Sequence, residues 1–302
     1  MDCLSLRDPV FLTSQLVTGL ATGGIFALVA LGFVLIYKAS DVINFAQGDL
    51  LMVGAYVGWT LTTAGLPFLV AFVLTLAAAA ILGLLIERSV LRPMIGEPII
   101  AVIIVTLGLS SMLRGLVFFL ASTEVRRFPE GIFPITPFQV GPVPVPQIYA
   151  WALAISAATV AVLTLFFRFS RQGIALRAAA DDQQAAMSMG IRISWAFALS
   201  WALSSAVAAA GGILLGNLTG VNFTLADIGL QVFPVVILGG LDSIPGAIVG
   251  GLAIGVLQNL ASAYLDPCVG GGLKNVFPFF VLVGILMLKP YGLFGRERIE
   301  RV

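Results

Sequence analysis

Two polar stretches carry most of the residues that could do chemistry in this sequence. The first, 41–49, reads DVINFAQGD and brings Asn44, Gln47 and Asp49 to the start of an apolar run. The second, 168–192, contains four arginines and two aspartates and is the longest charged run in the chain. Amide and carboxylate groups beside apolar sequence predict either contacts to a polar solute or the capping and docking of helices. Solute passage and partner docking are therefore the functions to weigh.

The sequence does not favour an enzyme. It has no histidine, and its two cysteines, Cys3 and Cys268, are too scattered to indicate a metal site or a disulfide framework. It also lacks the G-x-x-x-x-G-K-[ST] phosphate loop. We expect no catalytic residues, no cofactor, no metal site and no nucleic-acid partner.

The composition predicts that the lipid bilayer is the solvent for most of the chain. Of 302 residues, 59% are hydrophobic and 10% are charged, whereas a soluble domain has about 25% charged residues. The 33 glycines fit close helix–helix contacts in a membrane. We therefore predict an all-α, polytopic integral membrane protein that forms a single transmembrane domain over residues 1–302.

Apolar runs long enough to span a bilayer predict about eight or nine transmembrane helices. The predicted spans lie at 10–37, 44–62, 67–86, 99–121, 148–167, 194–216, 247–265 and 276–288, with a shorter candidate at 227–240. Polar loops are predicted at 87–98 and 122–147, and the prolines of the second favour extended backbone. Glycine or proline interrupts one segment in each half, which predicts broken or re-entrant helices and a two-half pseudo-repeat.

The basic residues predict the orientation of the chain. Placing the loop 168–193 in the cytoplasm puts eleven of them inside and four outside. The inside set is Lys38, Arg88, Arg92, Arg168, Arg171, Arg177, Arg192, Lys289, Arg296, Arg298 and Arg301. Arg114 falls within the fourth span near its outer end, from which its side chain could reach the interface. The N-terminus and the loop 122–147 are then periplasmic and the C-terminus is cytoplasmic. For the last part of the chain, 227–240 either crosses separately from 247–265, which we favour, or fuses with it into one broken crossing.

A short helix with its own start and stop signals is predicted within the central loop. Asp181 can serve as its N-cap, Gln184 can bond back in an approximate capping box, and Gly190 suits the position after its end. The predicted helix covers 182–189 and begins with Asp182. Its small residues, which permit close docking on another protein, are Ala185, Ala186 and Gly190. The alternative is a capped helix that only lies on the membrane.

The polar residues near 44–49 predict a translocation path or a half-helix. Asn44, Gln47 and Asp49 would enter hydrocarbon, where an unsatisfied polar group is costly, so they should face a water-filled path or a neighbouring helix. Gly48 fits a half-helix or re-entrant segment that lines a cavity. The alternative role for Asp49 is to cap a helix N-terminus near the inner interface.

Two other groups of residues could line the same path. Gly239, Gly240 and Pro245 break an apolar run in the second half of the chain. Thr106 and Ser110 share a rough face of the fourth span. The alternative for the glycines is plain helix packing, which we favour for the pairs spaced four residues apart, such as Gly246 and Gly250. The alternative for Thr106 and Ser110 is hydroxyl bonds back to the same helix.

Several motifs, taken in order, resemble one family from end to end. The sequence is similar to the LivH-type permeases of branched-chain amino-acid ABC importers, within a wider group of LivH-, LivM- and ribose-permease-like membrane proteins. The motifs that carry the resemblance are TGLATGGIFALVALG at 18–32, VINFAQGD at 42–49, ERSVLRP at 87–93, VILGGLDSIPGA at 236–247 and PYGLFG at 290–295.

The resemblance implies a permease subunit rather than an enzyme, with ATP hydrolysis in separate subunits. Expected partners are a related LivM-type permease, two cytoplasmic ATPase subunits and a periplasmic substrate-binding protein, in the bacterial inner membrane. The implied activity is the import of branched-chain or other small hydrophobic amino acids by alternating access. Ala185, Ala186 and Gly190 match the small positions of the family's coupling loop.

Two positions depart from the pattern, and two other functions stay open. Gln184 replaces a glutamate of the general importer pattern, and Gln47 replaces a histidine of many relatives. Related permeases carry urea, short amides or sugars, so the substrate could be another small solute. A stand-alone channel or secondary transporter would also explain the spans and broken helices, but it would not explain a coupling helix.

Overall fold

The computed structural model describes residues 9–121, 124–129, 132, 137–140, 143–289 and 292–295, and these residues are almost entirely helical. The α-helices are α1 (Pro9–Ser40), α2 (Gln47–Thr63), α3 (Phe68–Ile86), α4 (Ile99–Ala121), α5 (Gln147–Phe169), α6 (Arg171–Asp181), α7 (Gln183–Ser188), α8 (Ile193–Thr219), α9 (Ile228–Gly239), α10 (Ile244–Val269) and α11 (Leu273–Leu288). Cys3, Arg7, Arg296, Arg298, Arg301 and much of the loop 122–147 lie outside the described residues.

Shorter elements connect these helices. Strands β1 (Pro137–Val140) and β2 (Val143–Pro146) form an antiparallel hairpin, in line with the extended backbone that the prolines predict. A π-helical turn, Glu87–Leu91, and a 3₁₀ turn, Arg92–Met94, continue α3. The predicted polar loop at 87–98 is therefore wrong over its first part, because the chain stays helical through Met94. A 3₁₀ turn, Phe223–Asp227, precedes α9.

Within the described residues, seven helices run between two sides of the molecule, and α2 and α9 begin between those sides. The side that carries α7 and the end of α1 is called the α7 side, and the side that carries β1, β2 and the start of α5 is called the hairpin side. Six helical segments are long and apolar enough to cross a membrane, namely α3 with its two following turns and α1, α4, α5, α8 and α10. α2, α11 and α9 with its 3₁₀ turn are shorter. The prediction of an all-α polytopic membrane protein is confirmed, while the pseudo-repeat stays a prediction.

The order of crossings agrees with one of the two counts left open by the charges. α9 and α10 pack antiparallel, with Gly239 beside Gly246 and Gly250 close to the carbonyl of Val235. Residues 227–240 therefore cross separately from α10, and the first described residue, Pro9, lies on the opposite side from the segment 292–295. Which side faces the cytoplasm stays a prediction.

α1 is the most enclosed helix, because glycine lets its neighbours approach closely. Of its membrane-length window, 89% is buried. Gly19 lies against Val256, and Gly23 packs on the backbone of Gly251 and Leu252 in α10. A Cβ at Gly23 would sit 2.9 Å from the Cα of Leu252, so a larger residue would force the helices apart. The glycine-rich run that predicts a span thus forms the core of the bundle.

α2 begins deep inside the bundle instead of at its surface. Residues 42–46 run back from the end of α1 without regular helix, and Gln47 reaches Gly32, two turns before that end. Asp41, with φ of 55°, makes the reversal. This is the half-helix arrangement that the polar residues around Gly48 predict, and it is tolerated because protein surrounds the irregular backbone.

Candidate functional site

A cavity of about 160 Å³ opens among the end of α1, the segment before α2, the turns after α3, α4 and α8. Ser40, Gly96 and Gln183 line it toward the α7 side, and Asn44 and Thr106 line its inner part. Most of its remaining wall is apolar, for example Ile36, Val102 and Trp201. An apolar cavity with a few polar groups is suited to a small solute that is itself largely apolar.

The inner part of the cavity rests on a buried amide network. Nδ2 of Asn44 donates to Oε1 of Gln47 at 3.3 Å, and Oδ1 of Asn44 accepts from the backbone N–H of Ala46 at 3.0 Å. The Ser204 hydroxyl lies 2.9 Å from Oε1 of Gln47 and 2.8 Å from the carbonyl of Gly32. Because these partners satisfy the amides, the network fixes the irregular segment before α2 to α1 and α8.

A buried acid also contributes to the cavity wall. Glu87 is 1% exposed and accepts two hydrogen bonds from Arg92, at 3.1 Å from Nε and 2.9 Å from Nη2. This fork-to-fork geometry neutralises the carboxylate where α3 widens into its π-helical turn. The pair explains why the predicted loop stays folded against the bundle.

One face of α4 carries a line of polar side chains toward α2. Thr106 accepts a weak hydrogen bond from the backbone N–H of Phe45 at 3.4 Å and also bonds to its own helix at Ile103. Ser110, one turn further, lies beside the carboxylate of Asp49. Arg114, another turn on, also reaches Asp49. Residues at i, i+4 and i+8 share a helical face, so this line leads from the cavity toward the hairpin side.

Arg114 joins three parts of the bundle. Its Nε donates to Oδ1 of Asp49 at 2.7 Å, and its Nη1 lies 3.3 Å from Oδ1 of Asp227. Asp49 is in the first turn of α2, and Asp227 directly precedes α9. The prediction that Arg114 extends to the interface is wrong, because the carboxylates of Asp49 and Asp227 hold its guanidinium beside the starts of α2 and α9. The cap role for Asp49 is also wrong, because Ala46 occupies the N-cap position.

The structure brings together only some of the residues predicted for the path. Asn44 and Thr106 line the cavity, and Gln47 lies directly behind Asn44. Ser110 lies further along the polar face of α4, and Asp49 of α2 lies beside it. The remaining three, Gly239, Gly240 and Pro245, form the turn between α9 and α10 and do not line this cavity.

That turn has a structural explanation in its backbone. Gly240 adopts φ of 99°, a conformation that a side chain would strain, and a Cβ there would meet the backbone of Gly295. The N–H of Leu293 donates to the carbonyl of Leu238 at 2.7 Å. Ser243 caps α10 by accepting from Gly246 at 3.0 Å. Packing and turn geometry thus account for the glycines of the predicted break.

The central charged stretch forms two helices, α6 and α7, instead of one. Asp182, not Asp181, is the N-cap of α7, and its Oδ1 accepts from the backbone N–H groups of Gln184 and Ala185 at 2.8 and 2.9 Å. The predicted capping box is wrong, because this shift places Ala185 rather than Gln184 at its third helical position. Asp181 instead ends α6.

The stop signal of α7 matches the prediction. Gly190 has φ of 83°, and the N–H of Ile191 donates to the carbonyl of Ala186 at 3.0 Å, as in a Schellman motif. The small residues point in different directions. Ala186 is 3% exposed and packs with Leu35 and Leu176, whereas Ala185 and Gly190 are exposed.

The outer face of α7 is therefore larger and more apolar than the sequence predicts. Met187 and Met189 are 54% and 84% exposed. The inner face is anchored, since Nε2 of Gln183 donates to the carbonyl of Ala39 at 3.2 Å. Methionine-rich exposed surfaces adapt easily to a protein partner. The contact from Gln183 therefore joins α7 directly to the end of α1.

Sequence reasoning missed Asp227, Ser204 and the pairing of Arg114. A usable signal existed for Arg114, because an arginine within an apolar span calls for a buried acidic partner. Asp227 and Ser204 gave no comparable signal, because their partners are distant in sequence. Within the described part of the chain, no three His, Cys, Asp or Glu side chains come close enough to hold a metal ion.

The sequence matches one family of transport permeases over most of its length. The family model described as branched-chain amino acid transport system / permease component matches residues 15–286. The high-affinity branched-chain amino acid transport system permease protein LivH of Escherichia coli (strain K12) is 30% identical, over 97% of this chain and 98% of that protein. BraD of Pseudomonas aeruginosa, named likewise, is 31% identical, over 95% and 97%.

More distant proteins match as well. A probable branched-chain amino acid transport permease protein LivH of Methanocaldococcus jannaschii is 30% identical over 90% of this chain and 89% of that protein. The structure of PsaBC from Streptococcus pneumoniae in complex with Fab aligns with a TM-score of 0.46 and 16% identity, over 94% and 97% of the two chains. The family match and the full-length identities show that this chain belongs to the permease components of branched-chain amino acid transport systems.

Proposed function

We propose that this chain is the membrane permease subunit of an ATP-driven importer and moves branched-chain or other small hydrophobic amino acids by alternating access. The observation that carries the proposal is the identity of 30% and 31%, over nearly the full length, to two permeases whose names specify branched-chain amino acid transport. The apolar cavity with a few amide and hydroxyl groups supports the same class of solute.

The path runs along the polar face of α4. Thr106 and Asn44 line the cavity on the α7 side, and Ser110 and Asp49 follow toward the hairpin side. Gln47 holds the start of α2 in place behind them. In this proposal the solute passes between α4 and the half-helix α2, whose short length leaves irregular backbone to move.

The α7 region docks on the ATPase. We assign this role to Asp181, Asp182, Gln184, Ala185, Ala186 and Gly190, with Met187 and Met189 added from their exposure. Asp182 and Gly190 fix the two ends of α7, and Ala186 seats it on the bundle. The anchor from Gln183 to Ala39 then lets a displacement of α7 move α1.

The assembly and its orientation follow from the same proposal. The α7 side faces the cytoplasm and two ATPase subunits, and the hairpin side faces the periplasm and a substrate-binding protein. A related LivM-type permease completes the path in the inner membrane. The N-terminus is then periplasmic and the C-terminus cytoplasmic, as the excess of basic residues on the α7 side favours.

Reconstitution tests this proposal. The chain is purified with the partner permease and ATPase subunits encoded beside it, placed in vesicles, and supplied with the matching binding protein and radiolabelled leucine. ATP should drive leucine accumulation, and a non-hydrolysable ATP analogue is the control. Equal uptake with both nucleotides would instead support a channel or secondary transporter. ATP-driven uptake of urea or a short amide, with no uptake of leucine, would replace amino acids as the proposed substrate class.

A further inference from the structure

The ion pairs around Arg114 lie at membrane depth on a side of the bundle that is partly open. Arg114 is 15 residues beyond the start of α4, which corresponds to about 22 Å along the helix axis. Its side chain is 43% exposed and that of Asp227 is 52% exposed. A guanidinium and a carboxylate facing lipid are costly, so this opening must face water, a ligand or another subunit.

The charges in this cluster do not balance. Two carboxyl groups, of Asp49 and Asp227, face one guanidinium, of Arg114, so the formal charge of the described cluster is −1. Asp49 is buried against the guanidinium, whereas Asp227 is the accessible acid. An additional cation, such as an ammonium group, would complete the cluster at Asp227.

An aromatic surface lies one helical turn from these charges. Phe118 follows Arg114 by four residues on α4, and Phe223 precedes Asp227 by four residues. Their ring centroids are 5.7 Å apart, and Phe118 is 60% exposed. Tyr56 packs behind Phe223 at 6.1 Å. An apolar side chain of a ligand could rest here while its charged end contacts Arg114 and Asp227.

We infer that Arg114, Asp227, Phe118 and Phe223 form a recognition site for a zwitterionic α-amino acid with an apolar side chain. The inference rests on the proposed function and names the residues that would hold its substrate. Asp227 accepts from the α-ammonium group, Arg114 donates to the α-carboxylate, and the two phenylalanines contact the side chain. The polar face of α4 then leads from this site to Ser110, Thr106 and the cavity.

Ligand-induced stabilisation of the purified complex tests the site without the binding protein. The complex of this chain with its partner permease and ATPase subunits is titrated with leucine while its unfolding temperature is measured. Leucine should raise the temperature, because a ligand that binds only the folded state stabilises it. At equal concentrations, 4-methylpentanoate lacks the ammonium group and 3-methylbutylamine lacks the carboxylate, so neither should match leucine.

Two variants with matched controls assign the effect to the site. Asp227→Asn keeps the size of the side chain and the Asp49–Arg114 pair, and it should raise the half-maximal leucine concentration about tenfold. Phe118→Ala should weaken the binding of leucine more than the binding of alanine. Ser111→Ala and Phe119→Ala, at exposed neighbouring positions of α4, should not change the half-maximal concentration of either amino acid. If Asp227→Asn does not assemble, the exposed Phe118→Ala carries the test.

The results separate this inference from the proposed function. No leucine-dependent stabilisation of the wild type, or a wild-type response in both Asp227→Asn and Phe118→Ala, would overturn the site even if ATP still drives leucine uptake. A response to 4-methylpentanoate and 3-methylbutylamine equal to that of leucine would also overturn it. Absence of ATP-driven uptake by the reconstituted importer would instead overturn the proposed function.

Discussion

Gly48 and Gly229 bring the N-terminal ends of α2 and α9 into direct backbone contact. A Cβ at Gly229 would lie 2.7 Å from the backbone nitrogen of Gly48 and 2.8 Å from its Cα, and a Cβ at Gly48 would meet the carbonyl of Ala226. The two short helices therefore start at one point, beside Asp49, Asp227 and the guanidinium that holds both acids. Only glycine allows this approach.

Replacing Gly48 should separate these helix ends. Gly48→Ala is expected to lower the free energy of unfolding by about 2 kcal/mol, as overpacking typically does, and to reduce uptake because the site and the path meet here. The measurement is the unfolding temperature of the purified chain together with uptake in vesicles. Gly108→Ala on α4 is the control, since a Cβ there meets no atom of the described residues within 4 Å. Equal effects of the two substitutions would contradict the contact.

The two faces of α7 should respond differently to substitution. Met189→Asp adds a charge at an 84% exposed position, so the chain should fold normally but co-purify with the ATPase subunits at least about fivefold less well. Ala186→Arg should destabilise the chain itself, because Ala186 is buried against Leu35 and Leu176. The control is Gln172→Asp on the exposed face of α6. Normal ATPase binding by Met189→Asp would exclude the outer face of α7 from docking.

Replacing Gln183 should impair the transmission of movement from α7 to α1 more than the docking of the ATPase on α7. Gln183→Ala removes the hydrogen bond to the carbonyl of Ala39 but leaves the outer face of α7 intact. We expect normal co-purification with the ATPase and a several-fold loss of uptake per ATP hydrolysed, measured on the same vesicle preparation. Gln172→Ala, at an exposed position of α6 that has no assigned docking role, is the comparison and should keep the wild-type ratio. A normal ratio in Gln183→Ala would show that this contact does not transmit movement.

Cysteine labelling should determine which side is periplasmic. Cys268 is exposed at the hairpin end of α10. In a Cys3→Ser background, a membrane-impermeant maleimide should label Cys268 in intact spheroplasts. A Ser188→Cys variant that lacks both native cysteines places the only thiol on the outer face of α7, and it should react only after the membrane is opened. The reverse pattern would invert the proposed orientation.

Local signals predicted the elements better than the contacts between them. Apolar run length placed the spans, and Gly190 marked the end of α7, because both depend on nearby residues alone. Asp181 and Asp182 are equally good caps in sequence, and the choice between them depends on where α6 ends. That end is set by packing of α6 on α5 and α1, which the local sequence does not encode.

The site was predicted in part for the same reason. Polar groups within apolar sequence identified Asn44, Gln47 and Asp49, because burial of such groups requires partners. Their partners lie far away in sequence, since Arg114 is 65 positions from Asp49 and Ser204 is 157 from Gln47. Gly239 and Gly240 gave the same signal as a broken helix in a path, but they make a tight turn. Glycine indicates close backbone approach without specifying what approaches.

The enclosure of α1 has a consequence for how the protein is made. α1 is synthesised before α8 and α10, and it contributes the glycine face that later packs on α10. Until α8 and α10 have entered the bilayer, that face is left in contact with lipid or other proteins. An N-terminal fragment therefore contains the spine of the bundle without the partners that surround it. The final architecture can be established only late in biosynthesis, after most of the chain has been inserted.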